Sequence, residues 1–143
     1  MSAMKIMLVG SMKFVHDMVA AKKKLDRLGH QAFVPIGSEP HLTDGGFVEN
    51  LDDNLAFCIE NNIMKRNFDL VNESDAILVL NKRRNDIEGY IGVSALMEMA
   101  VAHHLNKKIF LLNEVPDHSQ HRWAQEVRIM QPIVVNEDLT RIN

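Results

Sequence analysis

Asp75-Ala-Ile-Leu-Val-Leu80, a polar loop, Gly89-Tyr-Ile-Gly-Val-Ser-Ala-Leu-Met-Glu-Met-Ala-Val-Ala-His-His-Leu-Asn106 and Lys108-Ile-Phe-Leu-Leu112 read in that order as strand, loop, helix and strand. The two short apolar runs have strand length and suit strands buried on both faces of a parallel sheet. A helix from about Val93 to Leu105 would be apolar on nearly every side, so it is expected to be largely buried. Its one formal charge is Glu98. Burying a carboxylate is costly unless it is hydrogen-bonded or used. Glu98 stands about one turn inside the helix start, where the positive end of the macrodipole favours the ionised form. An anionic, partly desolvated Glu at the mouth of an α/β sheet is a candidate nucleophile. The alternative is a Glu tied to a Lys or to backbone donors, or turned to solvent on a polar stripe.

Outward from this unit the same alternation continues. Lys5-Ile-Met-Leu-Val9 is a short apolar run ending in Gly10-Ser11, a first strand with its turn. Val15, Met18, Val19, Leu25 and Leu28 fall at helical spacing, and Gly29 supplies the stop of a helix from about Val15 to Leu28. Gln31-Ala-Phe-Val34 is a second strand closed by Pro35, followed by loop composition through Gly37, Pro40, Gly45 and Gly46. Loops as long as Ile36 to Asn50 often serve as lids or binding loops. Asp52 to Asn72 reads as one helix with Leu55, Ile59, Ile63, Phe68 and Val71 near one face, and Cys58 among them reads as core. Trp123 to Met130 reads as a last helix, Ile133 to Val135 as a fifth strand and Glu137 to Ile142 as a terminal turn. Alternating elements of these lengths predict a single three-layer α/β domain over residues 1–143, with a five-stranded parallel sheet in the flavodoxin-like order 2-1-3-4-5.

Composition narrows the function. A chain of 143 residues with net charge −3 has no basic footprint for a nucleic-acid polymer, and Lys22-Lys23-Lys24 reads as a solvated helix face. The single cysteine, Cys58, excludes an intrachain disulfide and fits a reducing cytoplasm. No signal peptide is read at Met1 to Gly10, and the run around Glu98 is too short and too polar to span a bilayer. His103 and His104, adjacent on a helix and so about 100° apart, cannot face one metal together. His118-x-x-His121 has no partner set of recognised spacing, so neither metal nor cofactor is expected.

In a doubly wound sheet the ligand sits beyond the carboxyl ends of the strands, at the switch point between strands one and three. That rule gathers Gly10, Ser11 and Lys13 after strand one, Asn81 to Ser94 after strand three, Glu98 behind them, and Asn113 after strand four. Gly10-Ser11 can expose backbone N–H groups to an anion, or can be an ordinary turn with Ser11 as cap. Tyr90, between Gly89 and Gly92, can stack on a base or pin its loop. Because the helix carrying Glu98 is apolar all round and the chain holds nine Met, some of Leu96, Met97, Ala100, His103 and His104 are expected to face solvent or a second copy.

With Asp75 to Asn81, Gly89 to Gly92, Glu98-Met-Ala100 and Lys107 to Leu112 in place, the chain resembles the nucleoside 2-deoxyribosyltransferase-like family. Gly10-Ser11 resembles the first loop of that family's deoxynucleoside 5′-monophosphate N-glycosidases, so the resemblance extends over most of Met4 to Leu112. It implies a nucleoside or nucleotide substrate, a homo-oligomer, and Glu98 attacking the anomeric carbon to leave a covalent glycosyl-enzyme. Retaining glycosyl chemistry ordinarily uses two carboxyl groups. Members often carry an Asp six residues before the nucleophile, where this chain has Gly92, and an acid eight residues before Asp75, where it has Asn67. Asp86, Glu88 or Asp69 are the substitutes within the sequence, and Asp17, like Asp69, is either a proton donor or acceptor or a solvated helix charge. The alternative is a non-catalytic nucleotide-binding or sensing module built on the same cleft.

Overall fold

The computed structural model describes residues 3–143, so the first two residues of the domain expected over 1–143 lie outside the described residues. Lys5–Val9 forms β1, and each of its residues after Lys5 is buried. It pairs in parallel with β2, Gln31–Phe33, on one side and β3, Ala76–Val79, on the other. The sheet continues through β4, Lys108–Leu111, to β5, Ile133–Val134, in the order β2-β1-β3-β4-β5. The fold is therefore a three-layer α/β domain of flavodoxin-like topology, with its order reversing between β1 and β3. The outermost strands are the shortest, three residues in β2 and two in β5, with Pro35 just beyond one and Pro132 just before the other.

The two-residue period of a strand divides the core. Ile6, Leu8, Leu78 and Phe110 point to one face, where Met18 and Leu25 of α1, Val15–Arg27, cover them together with Leu139 and Ile142 of the tail. Met7, Val9, Ile77, Val79 and Leu111 point to the other, against Val71 of α4, Ile63–Glu73, Ala95 and Met99 of α5, Val93–His104, and Ala124 and Val127 of α6, Arg122–Ile129. Fully burying a side chain of this size contributes about 1.5–3 kcal/mol, which makes these two interleaved sets the main source of stability.

Three expectations are corrected. The single helix from Asp52 to Asn72 is two, α3, Leu51–Glu60, and α4, because Asn62 takes the left-handed conformation at φ 51° between them. Asn tolerates that region better than most residues, so Asn61-Asn62 is a joint rather than a turn of helix. The segment from Ile36 to Asn50 is not structureless, since it holds a short helix α2, Glu39–Thr43, and a 3-10 turn, Phe47–Glu49. Finally, α5 is buried only along Ala95, Glu98, Met99 and Ala102. Val93, Met97, Ala100, His103 and His104 are exposed, and Leu96 is half-buried. No residue of α3 is buried, and Leu55 and Ile59, read on one face with Ile63 and Val71, are 60% and 70% exposed. The remaining differences are shifts of one or two residues at element ends.

No helix among the described residues is long and apolar enough to cross a membrane.

Candidate active site

A cleft of about 470 Å³ opens where the order reverses, at the carboxyl ends of β1 and β3. Gly10 and Ser11 leave β1 on its near wall. A side chain at Gly10 would meet the Leu80 carbonyl at 3.2 Å, and its φ of +155° favours glycine. Ile36, Gly37, His41 and Val48 form a second wall, Asn54, Phe57, Cys58 and Met64 a third, and Tyr90, Gly92, Ser94 and Glu98 the far side. A larger groove of about 590 Å³ along β2 has only Lys22, Glu39 and Arg66 as ionisable lining, none of them buried. The chemistry therefore concentrates in the first cleft.

Glu98 lines this cleft and is 8% exposed. Burial pushes its carboxyl up from 4.5 to about 7. The expectation of a fully ionised Glu98 is thereby corrected: it is the sixth residue of α5, past the first turn where the helix dipole acts, and desolvation prevails. Half-protonated near neutrality, it can act as a nucleophile when ionised and as a proton donor when not.

Of the other residues expected here, Gly10, Ser11, Asn67, Tyr90, Gly92 and Ser94 line the cleft, and Lys13, Asn81 and Asn113 do not. Asn67 is buried, with Oδ1 accepting from Ile36 N at 2.8 Å and Nδ2 donating to Ile36 O at 3.2 Å. Its amide is committed to holding the chain after β2 against α4. Tyr90 meets Trp123 edge-on at 6.1 Å, a contact that anchors its loop while the ring stays on the cleft wall. Lys13, beside the cleft but outside its lining, pairs with Glu49 at 3.5 Å.

Asn81 and Asn113 form a seam behind the cleft. Asn81 Oδ1 accepts from Asn113 N at 2.9 Å, and its Nδ2 donates to Asn113 O at 2.6 Å and Gly89 O at 3.4 Å. The chain ends leaving β3 and β4 carry backbone groups that need partners, and the Asn81 amide supplies them. Gly89 fits this seam at φ +71°, where a side chain would come within 2.1 Å of the Glu114 carbonyl oxygen.

The substitutes for a second acid lie elsewhere. Asp86 and Glu88 pair with Arg83 at 3.2 and 3.0 Å, Asp69 with Lys65 at 3.0 Å, and Asp17 with Lys82 at 3.9 Å. Among the described residues Glu98 is the only carboxylate on the cleft wall. No cluster of three His, Cys, Asp or Glu suited to a metal occurs among the described residues.

Three lining residues were not singled out for the site from the sequence. Arg84 sits at the base of a two-residue turn whose central residues, Asn85 and Asp86, both have positive φ of 53° and 60°. The turn aims Arg84 inward, where it donates to Ser11 Oγ and to Glu49 Oε1, while Arg83 faces out. The run Lys82-Arg83-Arg84 after a central strand was its only signal. His41 is buried with Nδ1 unpartnered, its ring 4.9 Å from Phe47, and burial holds its pKa below the ordinary value. Cys58 is corrected from core to cleft wall. Burial raises its pKa, so it presents a thiol, 3.4 Å from Asn54 Oδ1.

The fold and site define an α/β domain with a carboxyl-bearing cleft at its switch point. Compared with protein-family models and with curated proteins, the chain matches none of either.

Proposed function

We propose that the cleft cleaves or transfers the N-glycosidic bond of a deoxynucleoside or its 5′-monophosphate, with Glu98 as nucleophile. The observation that supports this reading is a buried carboxyl on the wall of a substrate-sized cleft, raised by desolvation alone. Ionised Glu98 attacks C1′, the C–N bond breaks with its electron pair going to the base nitrogen, and that nitrogen takes its proton from water. Water or a second base then takes the sugar from the glycosyl ester. Incubation with a panel of nucleosides and monophosphates, followed by chromatography, is expected to show free base or exchanged base. Neither product from any of them would end the proposal.

A second reading, a nucleotide-binding module without chemistry, is favoured by one observation, the lack of a second acid beside Glu98 among the described residues. Gly92 separates the two. A Cβ there meets only the Tyr90 ring, at 3.6 Å or more, so Gly92→Asp should fold and should cap α5 better than glycine does. General acids contribute on the order of 10²-fold or more, so in the catalytic reading Gly92→Asp raises base release about tenfold over the parent, a fraction of that factor because its placement is partial. A stable variant with no gain, alongside micromolar binding by calorimetry, would favour the binding module.

We further propose that the protein is cytoplasmic and that a second copy covers its apolar helix surface. Leu51, Leu55, Ile59, Met64, Val93 and Met97 are exposed on α3, α4 and α5, apolar side chains that a second copy would remove from water. Light scattering coupled to size exclusion should give a dimer or larger, and Met97→Asp should shift it toward monomer. A monomeric parent at micromolar concentration removes this proposal.

A further inference from the structure

The groove of about 590 Å³ along β2 is larger than the cleft and takes no part in the proposed reaction. Its size falls within the range of about 300–1,000 Å³ usual for small-ligand sites. Phe33, Pro40, Phe57, Ile63 and Leu70 give it an apolar lining, each of them half-buried. An added strand finds no ladder here, because Asp26 Oδ1 accepts from Ala32 N at 3.0 Å and Pro35 has no N–H. A small molecule suits the groove better than a peptide strand. Of the charged side chains in the lining, Lys22 is committed to Asp26 at 2.7 Å. Arg66 and Glu39 have no ion-pair partner among the described residues, and Arg66 spends one N–H on Asn61 O at 3.1 Å, leaving the rest of its fork free. The two uncommitted charges are opposite in sign.

We propose that this groove binds a small zwitterion with an apolar body, of the class of the branched and aromatic α-amino acids, and that its occupation weakens binding in the cleft. The carboxylate pairs with Arg66, the ammonium with Glu39, and the side chain leaves water against the apolar lining. A plain carboxylate leaves Glu39 unanswered and a plain amine leaves Arg66 so, which is why the zwitterion is the class that the groove selects. One partition separates groove from cleft, since Pro35, Ile36, Gly37, Phe57 and Ile63 line both. The partition has no slack. A Cβ at Gly37 would meet Ile63 Cδ1 at 2.9 Å and Phe57 Cε2 at 3.3 Å, and Asn67 holds Ile36 by both its backbone groups. A body wedged against Phe57 and Ile63 therefore pushes them into the cleft beside Cys58. By linkage, a ligand in the cleft weakens the groove in equal measure.

The test needs neither a nucleotide nor catalysis. Proton–nitrogen NMR titrations of the parent would compare L-phenylalanine with 3-phenylpropanoate, which lacks the ammonium, and with phenethylamine, which lacks the carboxylate. L-Phenylalanine should shift the amides of Phe33, Val34, Ile63 and Arg66 and bind about two- to fivefold more tightly than either truncated probe, the range that one exposed pair allows. Glu39→Gln should bring L-phenylalanine level with 3-phenylpropanoate, and Arg66→Gln should bring it level with phenethylamine, each leaving the other gap in place. Both positions are exposed, so the fold survives these changes. Cys58, the only cysteine, half-buried on the cleft side of the partition, reports the coupling. Saturating L-phenylalanine should slow its reaction with a thiol reagent about fivefold, near the low end of ordinary couplings between sites. Shifts confined to the cleft or to the exposed face of α3, no shifts at any soluble concentration, or truncated probes that match L-phenylalanine on the parent would overturn the site. Unchanged labelling of Cys58 at saturation would overturn the coupling. Base release without a response to L-phenylalanine leaves the catalytic reading standing and this one fallen, and the response without base release does the reverse.

Discussion

Glu98→Gln is expected to stabilise the fold at alkaline pH and, in the catalytic reading, to abolish turnover. The carboxyl is raised from 4.5 to about 7 by burial, so between those values the folded protein holds a proton that the unfolded chain releases. Stability therefore falls as pH rises through this window, and above it the full cost of a buried anion is present. A displacement from 4.5 to about 7 corresponds to about 3 kcal/mol as an upper figure. Gln does not titrate. The variant should match the parent below about pH 4, gain across the window, and stay ahead by up to about 3 kcal/mol at pH 8. Denaturant unfolding at three pH values checks this, and a gap of the same size at every pH would show that the carboxyl is not its source. Base release by the parent should follow the opposite course, rising with pH to a plateau above about 7 as Glu98 ionises. Stability surrendered to keep a reactive group dry is a common trade at active sites.

Asn81→Leu should cost about 2–3 kcal/mol, because it strands the N–H and C=O of Asn113 in a part-buried seam at about 1–3 kcal/mol each, toward the low end of that range. Asn81 is 1% exposed and Asn113 is half-buried, so water can replace these bonds only in part. Asn81→Asp offers a sharper comparison. It keeps an acceptor for Asn113 N but sets a carboxylate oxygen against Asn113 O, which stands 2.6 Å from the present Nδ2. Its loss should therefore be largest at neutral pH and shrink in acid, where a protonated oxygen can donate again. Urea titrations that put Asn81→Leu within about 0.5 kcal/mol of the parent would refute the role of the seam.

The sheet was legible because its inner strands are uninterrupted apolar runs and because βαβ alternation leaves few orders to choose from. Periodicity carried less information about helices. Leu55 and Ile59 share a face with Ile63 on paper, but spacing states only which residues lie together and not what covers them. The joint at Asn61-Asn62 ends that face. Within the cleft, Glu98 stood out as a lone charge in an apolar run, whereas the direction of its ionisation depended on depth of burial, which sequence does not contain. Asn81 looked like a ligand contact because an Asn that binds substrate and an Asn that pins two strand ends occupy the same place after a strand. Arg84 and Arg83 are indistinguishable in one dimension. The positive φ angles of Asn85 and Asp86 decide which of them enters the site.

The brevity of β2 and β5 bears on how the molecule behaves in a crowd. A sheet margin of two or three residues, with Pro35 and Pro132 beside them, offers too few free N–H and C=O groups to seed an added strand. Concentrating the protein should thus produce no growth into fibres along the sheet.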